Sequence, residues 1–120
     1  MIIAKTPLRV SLFGGGTDYK EFYSKYGSLV IGFCIDKYSY VSLRKTPSIF
    51  PFKSSISYSK TELVSSNKDI RHDGVRGVLE YLNMKQGVEI NYAGDLPAQT
   101  GTGSSSSFIV GLLNAIYCLK

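Results

Sequence analysis

The chain has 120 residues, 43% of them hydrophobic and 19% charged, with nine Tyr and six Phe, which is enough bulky apolar material for one core and too little charge for a disordered chain. Fourteen Lys and Arg against nine Asp and Glu leave a net charge of +5, but the excess is scattered, and no polybasic block of the kind that reads as a nucleic-acid arm is present. No apolar run reaches the ~18 residues of a membrane span, and Met1 to Pro7 lacks the charged head and small-residue cleavage site of a leader, so a cytoplasmic protein with no nucleic-acid or membrane partner is expected.

Ile2 to Lys5 and Leu8 to Phe13 read as two short strands, the second alternating Leu8, Val10 and Leu12 with Arg9, Ser11 and Phe13. Three glycines follow. Asp18 is the expected cap of a short helix over Tyr19 to Lys25, stopped by Gly27. Leu29 to Phe33 and Ile35 to Arg44 read as two further strands, with an antiparallel pairing between them. Thr46 to Phe52, with two prolines, is loop, and Ser54 to Ser59 reads as a weak edge strand ahead of a polar stretch through Asp69.

Val75, Val78, Leu79 and Leu82 fall at helical spacing and predict an amphipathic helix over Asp69 to Met84, weakened by Gly74 and Gly77. Val88 to Ala93 is the next strand. Phe108 to Leu119 is apolar nearly all round, the pattern of a helix buried on most of its surface. Cys34 and Cys118 have no C-x-x-C spacing and are expected as buried free thiols, and a chain with one histidine offers no zinc site.

The stretch from Asp95 to Ser107, DLPAQTGTGSSSS, lies between that strand and the last helix. Glycines permit close backbone approach, serines offer hydroxyls, and the following helix turns its unpaired N–H groups and positive dipole end toward the loop. Together these suit an anion such as phosphate. Read alone, a G-x-G-S is as readily a glycine turn with an ordinary serine cap. One serine suffices as a cap, however, so the run of four argues for a working surface. No lysine follows the glycines and the third glycine of G-x-G-x-x-G is missing, which excludes the P-loop and dinucleotide fingerprints.

Pro97 to Ser107 resembles the second motif of the GHMP small-molecule kinases, P-x-G-x-G-L-G-S-S-A, with Gly101, Gly103, Ser104 and Ser105 on its core and with Gln99 and Thr102 departing from it. Pro7 to Tyr19 is similar to the first motif of the sugar-kinase branch, P-G-R-V-N-L-I-G-E-H-T-D-Y, matching at Arg9, Val10, Leu12, Gly14, Thr17, Asp18 and Tyr19. Gly15 and Gly16 replace its Glu-His, and the resulting F-G-G-G-T-D resembles the heptose 7-phosphate kinase group.

The resemblance implies an α+β fold, the GHMP kinase amino-terminal domain (ribosomal protein S5 domain 2-like) with a left-handed β-α-β unit. It also implies ATP and Mg²⁺ as cofactors and a sugar phosphate as acceptor partner. Arg9 would lie beside the transferred phosphoryl group or the acceptor hydroxyl, and Gly15, Gly16, Thr17 and Asp18 would bind the sugar. ATP would lie over Pro97, Gly101, Thr102, Gly103, Ser104, Ser105 and Ser106, with Ser105 toward Mg²⁺. On the same reading residues 1–120 are an incomplete amino-terminal domain, inactive alone, because the family's catalytic aspartate and carboxy-terminal domain follow the second motif. Alternatives are a galactokinase, fucokinase or mevalonate kinase type, a non-catalytic phosphate or nucleotide module, or a basic RNA-binding domain.

His72 reads as a surface residue at a helix start, and Tyr38 and Tyr40 as half-buried strand packing. Lys5 and Lys37 read either as charges on the nucleotide side or as solvated surface lysines.

Overall fold

The computed structural model describes residues 1–97 and 100–120. Its sheet has five strands, β1 (Ile2–Phe13), β2 (Ile31–Lys45), β3 (Ser54–Ser57), β4 (Thr61–Val64) and β5 (Val88–Gly94), in the order β1-β2-β5-β3-β4. Helices α1 (Lys20–Tyr26), α2 (Asp73–Tyr81) and α3 (Ser104–Leu119) complete it. All pairings are antiparallel except that of β3 with β5. A parallel pair requires a crossover, and β4 and α2 lie in it, so this is the chain's β-α-β unit.

The two strands expected on either side of Thr6-Pro7 are one continuous strand. Pro7 has no N–H to donate, and β1 is an edge strand, where that loss is tolerated. The irregularity is absorbed as a register shift against β2 between Pro7 and Arg9. The predicted pair Leu29 to Phe33 and Ile35 to Arg44 likewise merges into β2, while Leu29 and Val30 fall outside it. β4 arises in the stretch read as merely polar: Tyr58 N–H donates to the Lys60 carbonyl at 2.9 Å and closes a tight hairpin.

α2 begins at Asp73, four residues later than its periodicity suggests. Ile70 turns inward and is fully buried, and the His72 ring nitrogen Nδ1 accepts the Val75 N–H at 3.3 Å, which caps the helix there. Leu82 is the C-cap, and Asn83, at φ 50°, turns the chain away from the helix. Gly74, which weakens α2 by propensity, is where α3 comes closest: a Cβ there would lie 2.7 Å from Ile109 Cδ1.

α3 begins four residues earlier than expected and takes all four serines into its first turn. Only one of its faces is buried, through Ser107, Phe108, Gly111, Leu112, Ala115 and Ile116, while Val110 and Tyr117 face solvent. The nearly all-round burial expected from its composition is therefore corrected. The core lies between this face, α2 and the sheet, with Val41, Leu43, Ile56, Val75, Leu79, Val88 and Ile90 at its centre. Both cysteines are exposed, which overturns their expected burial: Cys34 lies on the unpacked end of β2 and Cys118 on the outer face of α3. Among the described residues no helix is long and apolar enough to cross a membrane.

Candidate functional site

The loop between β5 and α3 is anchored at its start by Asp95, whose N–H donates to the Tyr38 carbonyl at 2.9 Å and whose carboxylate accepts the Tyr38 N–H at 2.8 Å. Pro97 is exposed, and its carbonyl accepts the Thr100 hydroxyl at 3.1 Å. Ala98 and Gln99 of the second motif lie outside the described residues. Thr102 gives its carbonyl to the Arg9 N–H at 3.0 Å, so the loop is held against the irregular part of β1.

Gly103 is the residue immediately before α3 and has left-handed φ and ψ of 69° and 25°. A Cβ at this position would lie 3.0 Å from Arg9 Cγ and 3.1 Å from Arg9 Nε. Glycine is therefore needed twice here, for the backbone turn and for the approach of the arginine. Arg9 is in turn oriented by a hydrogen bond from its guanidinium to the Ser11 hydroxyl. Residues from opposite ends of the chain thus place a permanent cation beside the positive end of a helix.

That helix end is open. The first i→i−4 bond runs from Ser107 N–H to the Gly103 carbonyl at 2.9 Å, and no side chain caps the turn. The N–H groups of Ser104, Ser105 and Ser106 have no protein acceptor among the described residues. Ser104 is half-buried, and Ser105 and Ser106 are exposed. Ser107 differs, because its hydroxyl donates to the Pro7 carbonyl at 3.0 Å and ties α3 to β1. Two positive sources and a row of free donors, with no carboxylate bonded to any of them, favour an anion.

Beside this helix end opens a cavity of about 440 Å³ lined by Tyr58, Ser59, His72, Tyr92, Gly101, Gly103, Ser104, Ser105 and Phe108. Tyr92 meets Phe108 edge-on with ring centroids 5.3 Å apart, and His72 lies 4.9 Å from Tyr58 and 5.3 Å from Phe108. The cavity thus has an apolar aromatic end and a polar glycine-serine end, the two chemistries of a nucleotide. None of its aromatic residues stood out in the sequence. The sequence puts Tyr58 on a weak edge strand and Phe108 at the head of a greasy helix, where core packing is the ordinary reading; in the structure β3 ends at Ser57 and is paired on both sides, by β4 and β5, so it is not an edge, and Tyr58 lies in the turn after it. His72, expected on the surface, is a half-buried part of the wall.

The far wall is braced by Glu62. Its carboxylate accepts the Tyr58 hydroxyl at 2.6 Å and the Arg71 N–H at 2.7 Å. Desolvation pushes Glu62 upward, but the Tyr58 and Arg71 hydrogen bonds outweigh it and hold the group below the ordinary carboxylate value. The same hydrogen bond to Glu62, with some desolvation, raises the Tyr58 phenol.

The turn after β1 is built differently. Gly14 has φ 90°, and a Cβ there would lie 2.3 Å from the Leu29 carbonyl oxygen. Thr17 donates its N–H to the Gly14 carbonyl at 3.1 Å, and its hydroxyl pairs with that of Ser28 at 2.9 Å. Gly15 and Gly16 face open space, since a Cβ at either would meet nothing within 4 Å. Asp18 is exposed and does not cap α1: Tyr19 is the capping position and makes no side-chain bond, which corrects the expected role. No hydrogen bond joins this turn to the Gly101–Ser107 loop among the described residues. Lys5 sits over the Tyr38 ring at 3.7 Å, a cation–π contact away from the cavity wall.

Residues 73–120 match the family described as GHMP kinases N terminal domain. The chain is 29% identical to the D-glycero-alpha-D-manno-heptose 7-phosphate kinase of Campylobacter jejuni, over 95% of this chain and 36% of the relative. It is 31% identical to the galactokinase of Pyrococcus furiosus, over 96% of this chain and 33% of the relative. A solved D-glycero-D-manno-heptose 1-phosphate kinase from Bacteroides thetaiotaomicron superposes with a TM-score of 0.74 at 25% identity, covering 97% of this chain and 41% of that one. The chain therefore spans between a third and about two fifths of the length of these relatives. The motif-bearing loop, the α+β sheet, the family match over residues 73–120 and the superposition agree, and the chain presents the fold of the GHMP kinase amino-terminal domain.

Proposed function

We propose that the protein transfers a phosphoryl group from ATP to a hydroxyl of a sugar or sugar phosphate, with the C1 hydroxyl of D-glycero-D-manno-heptose 7-phosphate as acceptor. The observation that carries this reading is the packing of Arg9 against Gly103 at the open end of α3. It is supported by the aromatic cavity that continues from the same loop.

In this mechanism the base of ATP occupies the aromatic end of the cavity, and its phosphates lie over Gly101, Thr102 and Gly103, with Pro97 at the rim. The free N–H groups of Ser104, Ser105 and Ser106 bind phosphate oxygens, and Arg9 neutralises the charge that spreads over the transferred group. Mg²⁺, when bound, neutralises the phosphates further. The chain fits it only in part: the exposed Ser105 hydroxyl offers one oxygen, and no cluster of three acidic, His or Cys ligands exists among the described residues. That suits an ion held mainly by substrate phosphates and water. Asp18 and Thr17 hydrogen-bond the acceptor's hydroxyls, and the open space at Gly15 and Gly16 admits its bulk and charge. The chain would supply one half of the active site. The segment that follows the second motif would bring the catalytic aspartate, and a carboxy-terminal domain would close the site, in keeping with the greater length of the relatives.

The test is Mg-ATP-dependent phosphorylation by the full-length protein, read as ADP release with heptose 7-phosphate, galactose or mevalonate as acceptor. Turnover with the heptose phosphate, falling about 10²–10³-fold in Arg9→Met, is expected. Turnover with galactose or mevalonate alone would reassign the acceptor. No turnover with any of the three, despite tight ATP binding, would reduce the protein to a nucleotide-binding module.

A further inference from the structure

The His72 ring is committed on one side. Its Nδ1 accepts the Val75 N–H at 3.3 Å and caps α2, so in the neutral ring the proton belongs to Nε2. Nε2 has no protein acceptor among the described residues, while the ring is wedged between Tyr58 and Phe108 on the cavity wall. The neighbouring polar groups are occupied or turned elsewhere. Tyr58 donates its hydroxyl proton to Glu62, and the Tyr92 hydroxyl lies over Gly94, 2.8 Å from where a Cβ would stand. Tyr58, Tyr92 and Phe108 supply apolar faces without a free, fixed side-chain donor, whereas the direction of the His72 Nε2–H is set by the cap on α2.

We infer that His72 determines base specificity: its Nε2–H donates to an unprotonated ring nitrogen of a purine held between the aromatic walls. This rests on the proposed nucleotide reading of the cavity and adds to it the residue that distinguishes a base from any flat apolar group. A donor that the bound base covers disfavours ligands lacking the acceptor, because the covered donor is then left unpaired. Phe, Tyr and the glycine-serine loop would bind a base by area and phosphates by charge, whereas His72 would sense where the base's nitrogens are.

The experiment compares dissociation constants for Mg-ATP, inorganic tripolyphosphate and the 1-deaza, 3-deaza and 7-deaza analogues of ATP. Two variants divide the roles of the ring. His72→Asn keeps an acceptor for Val75 and removes the donor, and His72→Gln restores an N–H at about the reach of Nε2. In wild-type protein ATP binds more tightly than tripolyphosphate, and one of the three deaza analogues binds about three- to tenfold more weakly than ATP. His72→Asn loses that same factor for ATP, gains no further loss with the deaza analogue and leaves tripolyphosphate unchanged, while His72→Gln recovers part of it. Unchanged ATP affinity in His72→Asn, equal losses for ATP and tripolyphosphate, or indifference to all three deaza positions would each overturn the inference while leaving the nucleotide reading in place. Wild-type protein that binds tripolyphosphate as tightly as ATP, or binds neither, would sink the nucleotide reading and the inference with it.

Discussion

The two motifs of this chain sit in regions of opposite construction. Residues 100–119 are fastened to the core: α3 buries Phe108, Leu112, Ala115 and Ile116, Ser107 is tied to Pro7, and Thr102 is held by Arg9. From Asp18 to Cys34 every residue is exposed, among them Phe22, Tyr26, Leu29, Val30, Ile31 and Phe33. The sequence is no less apolar there. The difference is topological, because α3 and α2 cover the middle of the sheet and nothing in the described chain covers the end where β1 passes through α1 into β2. Apolar character supplies the drive to be buried, but a facing element is needed before that drive becomes stability.

The largest test of this contrast is truncation on each side. Leu112→Ala empties a fully buried site on α3 and should cost about 2–5 kcal/mol in urea unfolding. Leu29→Ala, at a residue 77% exposed, should stay within about 0.5 kcal/mol. Equal losses would mean that the α1 end is packed in solution by something the isolated fold does not provide.

A smaller effect is expected from backbone geometry, and here the loosely packed end is the sensitive one. Gly14→Ala forces a side chain into left-handed φ and against the Leu29 carbonyl, and should destabilise by roughly 1–3 kcal/mol. Gly15→Ala next to it meets open space and should be nearly neutral in the same urea titration. Gly103→Ala, on the packed side, should cost about 1–2 kcal/mol for its left-handed backbone. It should also weaken Mg-ATP binding by displacing Arg9, as isothermal titration would show.

The smallest effect concerns the brace behind the cavity. Glu62 has a folded-state affinity for protons below its ordinary value, so its contribution is present above pH 4.5 and is lost as pH falls through the depressed value. Thermal melts across pH 3 to 7 should show a shallower acid decline in Glu62→Gln than in wild type. Tyr58 runs in the opposite sense: its phenol is raised, so its hydrogen bond persists below pH 10 and is lost above the raised value. An unaltered acid decline in Glu62→Gln would show that Tyr58 and Arg71 do not depend on the carboxylate.

Legibility followed the range of the interactions. The glycines and serines of the loop were readable because their chemistry is local, a positive φ and a row of hydroxyls, whereas Arg9 and Asp18 stood out only through the resemblance of the first motif. Strand and helix positions were readable from periodicity, with errors where a distant partner intervened. α2 starts late because Ile70 found the core and His72 found Val75. Asp18 is not a cap because the turn before it is organised by Gly14, Thr17 and Ser28. The cavity was not readable, since Tyr58, His72, Tyr92 and Phe108 come from four separate segments and each alone looks like packing.

The sequence by itself determined the class of elements and the presence of an anion-suited loop ahead of a helix, and it holds no apolar run of membrane-spanning length. These depend on side-chain period, backbone freedom and charge within short windows. Only the tertiary structure decided that Arg9 meets Gly103, that one face of α3 is buried, that both cysteines are exposed and that four scattered rings form one wall. Those outcomes depend on which segments the sheet order β1-β2-β5-β3-β4 makes neighbours, and no local interaction encodes that order.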